Sequence, residues 1–175
     1  MKAFRSIRIL PPDAVYDKMV SPVGKLIIIT SSQGLHAILW ETDLQDLNCK
    51  KILDGLAQSK HEKTMVETKQ QLTEYFQAKR KKFDLPLVIK GTDFQRQCWQ
   101  QLLKIPYGKT ISYGEQAVKL GDKNKCRAVG MANGSNPISI IIPCHRVIGS
   151  NGELVGFGGG LSYKQWLIEH EKEYP

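Results

Sequence analysis

The feature that most constrains the fold is an apolar run over residues 138–142, which ends at Pro143 and leads directly into Cys144. β-branched residues favour strands, and proline fixes φ and removes a ladder donor, so the run predicts a strand that ends at the thiol. His145 and Arg146 follow, and such neighbours favour a thiolate. A free cysteine beside an apolar run is ordinarily an inert buried residue, and this alternative stays open from these residues alone.

The segment after the thiol is rich in turn residues. Asn151-Gly152 is a hairpin-turn pair, which predicts that residues 154–160 fold back toward Cys144. Four glycines in or beside this stretch permit close approach of the backbone to a ligand: Gly156, Gly158, Gly159 and Gly160. Together these features favour a reactive cysteine at a ligand pocket.

The N-terminal half has the pattern of a small sheet with helices. Three strands separated by turn residues are predicted over residues 15–20, 25–30 and 35–40, and two helices over residues 43–58 and 67–79. We assign this half a scaffold role, with Trp40 in its core. An extended connection over residues 83–90 marks a domain boundary, which gives domains 1–90 and 91–175.

The sequence pattern of the C-terminal half predicts a mostly helical structure. Thr92 is a candidate N-cap for a helix to about residue 104, and Ser112 with Glu115 forms a capping-box pattern for a helix through residue 120. A helix over about 123–133 completes a helix-turn-helix pattern. Its small residues beside Arg127 suit either close approach to a DNA groove or tight packing on a neighbour: Ala128, Gly130, Ala132 and Gly134.

Composition narrows the class of protein. The formal charge of +8 over 175 residues favours a polyanionic partner, although excess lysine also serves solubility. No segment approaches the roughly 18 apolar residues of a membrane helix, and residues 1–12 lack a signal-peptide core, so we expect a cytoplasmic protein. The four cysteines form no Cys-x-x-Cys pair, which argues against disulfides and a structural zinc site.

Residues 143–147, with the sequence Pro-Cys-His-Arg-Val, resemble the active-site signature of the O6-alkylguanine-DNA alkyltransferases, or methylated-DNA–protein-cysteine methyltransferases. The resemblance is dense from Thr92 onward, and further matching segments follow in the family's order: residues 112–114, 127–130, 136–137, 156–160 and 166–171. It implies an α/β (α+β) fold. The N-terminal domain would be ribonuclease H-like with a three-stranded antiparallel sheet, and the C-terminal domain winged-helix-like with a helix-turn-helix.

The resemblance also implies a function. The protein would repair DNA by direct reversal, moving a methyl or other alkyl group irreversibly from O6 of guanine, and also from O4 of thymine, onto Cys144. The target nucleotide would be flipped out of double-stranded DNA that is contacted through its minor groove. Each monomer would react once, without a cofactor.

The catalytic roles follow the family's motif. Cys144 is the nucleophile, and His145 is its base, acting through a bound water and oriented by Glu171. Adjacent residues of an extended chain point in opposite directions, so a bridging water is the more natural link between Cys144 and His145. Tyr113 donates a proton or a hydrogen bond to the guanine ring.

The resemblance also implies the remaining roles, which concern binding. Asn136 links the helical hairpin to the thiol segment, the Val147 carbonyl accepts from the guanine amine, and the Gly158 amide faces O6. The other predicted contacts are Phe157 and Gly159 at the substrate, Arg127 in the space of the extruded nucleotide, and Ala128 and Gly130 on the smooth face of the DNA-binding helix.

Two departures from the family are visible. Phe157 stands where some members carry tyrosine, and Gly158 where some carry a side chain, which leaves tolerance for larger alkyl groups open. The zinc ligands of certain members have no counterpart here, so we predict no metal. Two alternatives remain: a DNA-binding regulator without chemistry, and a cysteine hydrolase that uses Cys144 and His145.

Overall fold

The computed structural model describes residues 7–174, and the N-terminal half is built on an antiparallel meander. Its strands are β1 (Val15–Ser21), β2 (Gly24–Ser31) and β3 (Gly34–Trp40), which confirms the three predicted strands. The glycines that open β2 and β3 have φ of +83° and +133°, so both tight turns use a conformation that other residues rarely adopt. The two-residue strand β4 (Ala57–Gln58) pairs in parallel with β1, giving the order β3-β2-β1-β4.

The helix predicted over residues 43–58 is confirmed only in its central part, and its predicted bounds are too wide. This stretch forms a 3-10 helix (Glu41–Gln45), then α1 (Leu47–Asp54), then β4. The Asp46 side chain accepts from the backbone N–H of Asn48 and starts a new helix there, while Gly55 ends it.

The second predicted helix exists but begins earlier, as α2 (Lys63–Phe76). The Glu62 carboxylate accepts from the backbone N–H groups of Thr64 and Met65 and so caps the helix. After α2, the extended connection is confirmed, because Leu35 hydrogen-bonds Pro86 and Val88 through its N–H and C=O.

The C-terminal half contains α3 (Asp93–Leu102), α4 (Tyr113–Lys119) and α5 (Cys126–Asn133), with a 3-10 turn (Lys123–Lys125) before α5. Both predicted helix starts are confirmed, since Thr92 and Ser112 each form a capping box with the residue three positions on. The helix-turn-helix character of α4 and α5 stays a prediction.

The strand predicted over residues 138–142 is wrong. The segment is a buried loop in which the Asn136 side chain accepts from Ile138 N–H and donates to the Ile142 carbonyl. Ile142 N–H also bonds the Ile138 carbonyl, and Ile140 adopts φ of +75°. These local bonds occupy backbone groups that a β-ladder would need. The apolar run is therefore buried in the core as a loop and contributes only isolated β-bridges, among them that of Ile138 to Ile38 in β3.

Cys144 therefore opens a 3-10 turn (Cys144–Arg146), which leads into β6 (Val147–Ile148). β6 pairs in parallel with β5 (Ile111–Ser112), a turn over residues 149–152 follows, and α6 (Leu161–Glu173) ends the described chain.

One hydrophobic cluster joins the two halves. It combines Leu26, Ile28 and Tyr75 from the N-terminal half with Trp99 and Ile142 from the C-terminal half. The fold is thus mixed α/β, with a sheet and helices first and a helical part after. The boundary at residue 90 stays a prediction. Between residues 7 and 174, no helix is long and apolar enough to cross a membrane.

Candidate active site

An open cavity of about 970 Å³ lies between α5 and the glycine-rich segment. Seven of the predicted site residues line it: Tyr113, Arg127, Gly130, Asn136, Cys144, Phe157 and Gly158. His145 and Glu171 lie behind the thiol in the interior, where both are at most 1% exposed. The N-terminal half supplies part of the wall, because Trp40, Thr42, Asp43 and Gln45 also line this cavity.

Cys144 lies at the wall of the cavity and is 7% exposed. Burial raises the pKa of its thiol, and a hydrogen bond from Asn136 together with the charge of Lys164 opposes this only in part. The expectation that Arg146 favours a thiolate is wrong. Its guanidinium points away to Glu171 and to the Ile105 carbonyl.

The Glu171 carboxylate is the centre of a buried hydrogen-bond cluster. Oε1 accepts from His145 Nε2 and Tyr75 Oη, each at 2.8 Å, and from Arg146 Nη2 at 2.9 Å. Oε2 accepts from Arg146 Nε at 2.8 Å and from Gly108 N–H at 3.0 Å. Burial alone raises the pKa of Glu171, but the hydrogen bonds and charges of His145 and Arg146 outweigh it and hold that pKa well below its usual range.

The cluster decides which nitrogen of His145 is basic. Burial lowers the pKa of His145, and the bond and charge of Glu171 offset this only in part, so the ring is neutral at pH 7. Because the Glu171 carboxylate can only accept, Nε2 carries the proton and Nδ1 carries the lone pair. Nδ1 is buried, and within residues 7–174 no atom forms a hydrogen bond with it.

Tyr113 and Lys164 meet at the carbonyl of Val155. Tyr113 Oη donates to it at 3.1 Å and Lys164 Nζ at 2.9 Å, while Nζ also lies 5.6 Å from the centre of the Tyr113 ring. Burial and the charge of Cys144 raise the pKa of Tyr113 to about 12, so its hydroxyl stays a donor.

Lys164 is a site residue that the sequence analysis missed. It is fully buried, and burial lowers the pKa of its ammonium. One feature of the sequence could have revealed Lys164. It precedes Glu171 by about two helical turns, so both residues lie on the same, inward face of α6. Tyr75 and Trp40 were also missed, and they carry no local motif that marks a site.

α5 presents different residues to the cavity and to the core. Arg127 is exposed and, with Gly130 and Met131, lines the cavity, and the apolar Met131 side chain is 57% exposed. On the other side Ala132 packs inward, and its carbonyl accepts from Trp99 Nε1 at 2.9 Å. The alternative of tight packing therefore holds for Ala132, and close approach of the other face of α5 to a DNA groove stays a prediction. Ala128 is half-buried and does not line the cavity.

The other predicted binding residues are placed as follows. Asn136 forms the predicted hydrogen-bond link, from its amide to the Ile142 carbonyl at 2.7 Å. Val147 is buried, opposite Ile111 in the β5–β6 pair, and does not itself line the cavity. Gly159 lies beside the cavity, in a smaller pocket with Trp40 and Tyr163.

Comparison with known families decides the affiliation of this chain. Residues 14–89 match the ribonuclease-like domain of 6-O-methylguanine DNA methyltransferase, and residues 93–173 match the DNA binding domain of the same protein. The chain belongs to the 6-O-methylguanine DNA methyltransferase family. This confirms the resemblance seen in the sequence.

Two relatives of this methyltransferase family member each cover nearly the whole chain. A methylated-DNA–protein-cysteine methyltransferase of Methanosarcina barkeri is 43% identical over 90% of this chain and 96% of its own length. The O6-methylguanine methyltransferase of Mycobacterium tuberculosis superposes with a TM-score of 0.82 at 39% identity, covering 93% of this chain and 94% of its own.

A third relative extends the comparison to a complex. The M. tuberculosis protein OGT has been solved in complex with DNA, and that chain matches with a TM-score of 0.81 at 39% identity, over 91% of this chain and 93% of its own. These matches support neither a regulator without chemistry nor a cysteine hydrolase. In the described part of this family member, no group of three or more His, Cys, Asp or Glu residues could hold a metal ion.

The Glu171 cluster predicts a difference between two neighbouring tyrosines. Tyr75→Phe removes a hydrogen bond to a buried carboxylate and should lower the free energy of unfolding by about 1.5–3 kcal/mol. Tyr107→Phe is the matched control, because the buried Tyr107 hydroxyl has no hydrogen-bond partner among the described residues, and it should be nearly neutral. Urea denaturation measures both, and equal losses would contradict the role of Glu171 as the acceptor.

Proposed function

We propose that this protein repairs alkylated DNA by moving a methyl or larger alkyl group from O6 of guanine, or O4 of thymine, onto Cys144. One observation carries the proposal: the Cys144 thiol lies at a cavity wall, next in the chain to a neutral imidazole that a buried carboxylate orients. A thiol that accepts an alkyl group needs a proton acceptor and room for the base, and this site offers both.

The reaction begins with removal of the thiol proton. His145 Nδ1 accepts it through a bridging water, and Glu171 stabilises the imidazolium that forms. The sulfur then attacks the alkyl carbon, so that a C–S bond forms as the C–O6 bond breaks. The guanine anion that departs accepts the proton of the Tyr113 hydroxyl, which its raised pKa has kept protonated until that point. Tyr113 then regains a proton by way of solvent from the His145 imidazolium, so that the thiol proton in effect ends on guanine.

Deprotonation alone does not account for the rate. An unperturbed thiol is about 3% ionised at pH 7, so full ionisation raises its reactive fraction only roughly 30-fold. Here burial of Cys144 raises its pKa further. The greater contribution comes from aligning sulfur, carbon and leaving oxygen, and from donors aimed at the charge that develops on O6.

The target nucleotide reaches the thiol by flipping out of the duplex. Arg127 at the mouth of the cavity takes the space it leaves, and the smooth face of α5, with Ala128 and Gly130, rests in the minor groove. The formal charge of +8 favours the phosphate backbone. The related M. tuberculosis OGT, solved in complex with DNA, supports DNA as the partner.

The flipped base is held by groups around the cavity. The Val147 carbonyl accepts from the guanine amine, and the Gly158 amide donates to O6. Phe157 and Gly159 shape the wall, and Asn136 holds the loop that carries the thiol. The cavity is open, and Gly158 in its wall carries no side chain, which favours acceptance of larger alkyl groups.

The thioether product is permanent, because the Cys144 thiolate is a poor leaving group from an alkyl carbon and the C–S bond is not broken by water. Each molecule, a monomer, therefore reacts once. We place the protein in the cytoplasm, where reducing conditions keep the Cys144 thiol free.

Stoichiometric transfer is the first test. Incubation with duplex DNA that contains O6-methylguanine should add the mass of one methyl group to the intact protein and then stop. Cys144→Ala should abolish the gain, whereas Cys126→Ser, which removes the half-buried thiol that lines the same cavity, should retain it. Continued turnover, or methylation of the Cys144→Ala variant, would refute the proposal.

Arg127 should matter for duplex DNA alone. Arg127→Ala should slow transfer from duplex O6-methylguanine by about tenfold or more, because extrusion of a base costs a few kcal/mol. Transfer from the free base O6-benzylguanine, which needs no extrusion, should be unchanged. Lys172→Ala, an exposed cation on α6, is the control for lost charge. Equal slowing with both substrates would contradict the role of Arg127.

We expect the transfer rate to fall at low pH as His145 becomes protonated. Its pKa lies below the ordinary value of 6.5, so the ring remains a base as the pH falls through 6.5 and loses that capacity only at lower pH. The maximal transfer rate at saturating DNA should therefore be halved at a pH below 6.5, with DNA affinity measured in parallel. A midpoint at or above 6.5 would show that a different group controls the reaction.

A further inference from the structure

Trp40 joins the N-terminal sheet to the wall of the cavity. It is the last residue of β3 and is 3% exposed. Its ring meets Phe157 edge-on, with centroids 5.3 Å apart, and stacks on Tyr163 at 5.8 Å with an angle of 24° between the planes. The indole is therefore enclosed by both ends of the segment that runs from Phe157 into α6.

The backbone between these two aromatic residues lies directly on the indole. A Cβ at Gly159 would be 2.7 Å from Trp40 Cδ2 and Cε3, and one at Gly158 would be 3.3 Å from Cδ1 and Nε1. Neither glycine has a positive φ, so backbone conformation does not require glycine there. The absence of side chains instead allows the close approach to Trp40.

Further contacts fix the same surfaces. Asp43 Oδ2 accepts from the Trp40 backbone N–H at 2.9 Å, which holds the turn from β3 into the 3-10 helix. Thr42 Oγ1 donates to the Gly158 carbonyl at 3.4 Å. The carbonyl of Gly158 is thus tied to the N-terminal half. This contact limits rotation of the Gly158 backbone and so of the Gly158 amide N–H.

We infer that Trp40 is a positioning residue for alkyl transfer. Residues 157–160 pack on its indole ring, and this packing holds the Gly158 amide so that it faces the leaving oxygen. The inference rests on the proposed function, which assigns that amide to O6. Trp40 belongs to a different part of the chain from α5. Its loss should therefore change the chemical step and leave DNA binding intact.

Single-turnover kinetics on the full chain can separate these effects. The transfer rate from duplex O6-methylguanine is measured against protein concentration, which yields a dissociation constant and a maximal rate. Trp40→Leu and Gly159→Ala should each lower the maximal rate by about tenfold, as a donor displaced from its position would, with the dissociation constant unchanged within about twofold. Trp40→Phe, which keeps a ring under the loop, should retain most of the rate.

The double variant tests the contact itself. A methyl group at position 159 occupies the space that Trp40→Leu opens, so Trp40→Leu/Gly159→Ala should react at least as fast as the slower single variant. Two independent effects would multiply to about a hundredfold loss. Gly55→Ala is the matched control, because its Cβ would meet its nearest atom at 3.4 Å, far from the cavity, and it should react normally.

The outcomes are distinguishable. No transfer by the unaltered protein would refute the proposed function. Normal maximal rates for Trp40→Leu and Gly159→Ala, multiplied losses in the double variant, or a loss of DNA affinity in place of rate would each overturn the role of Trp40 while the function stands. If Trp40→Leu does not fold, Gly159→Ala and Trp40→Phe carry the same comparison.

Discussion

The buried carboxylate of Glu171 is the interaction on which the site depends. Its two oxygens accept from the imidazole of His145, the guanidinium of Arg146, the hydroxyl of Tyr75 and the backbone of Gly108. A lone buried carboxylate would be costly, and these five hydrogen bonds compensate for its lost hydration. They also fix the tautomer of His145, so one cluster both stabilises the buried interior and leaves Nδ1 as the ring nitrogen with the lone pair.

Residues from both halves of the chain form the Glu171 cluster and the cavity. Tyr75 reaches Glu171 from α2, and the Tyr75 carbonyl contacts the ring of His170 at 2.8 Å. Trp40 supports the cavity wall from β3, and the neighbouring Ile38 donates its N–H to the Pro137 carbonyl. The N-terminal half is therefore more than the scaffold that its sequence suggests, because it supplies contacts to Glu171 and part of the cavity wall.

Much of the local structure follows from short-range patterns. The strands β1 to β3 and the starts of α3 and α4 were predictable, because alternation, turn glycines and capping boxes act over a few residues. The buried loop before Cys144 was not. Its apolar residues satisfy a strand pattern, yet the side chain of Asn136 takes the hydrogen-bonding groups of Ile138 and Ile142 that a strand would use.

The same division applies to the site. The sequence by itself led to the proposed nucleophile Cys144, its proposed base His145 and the proposed carboxylate partner Glu171, because these residues fall in the order of the family's motif. Only the tertiary structure decided that Arg146 turns away from the thiol to Glu171, and that Trp40 lies under the glycine-rich wall. Long-range packing sets such contacts between residues far apart in the chain, and no local pattern encodes which distant side chains will meet.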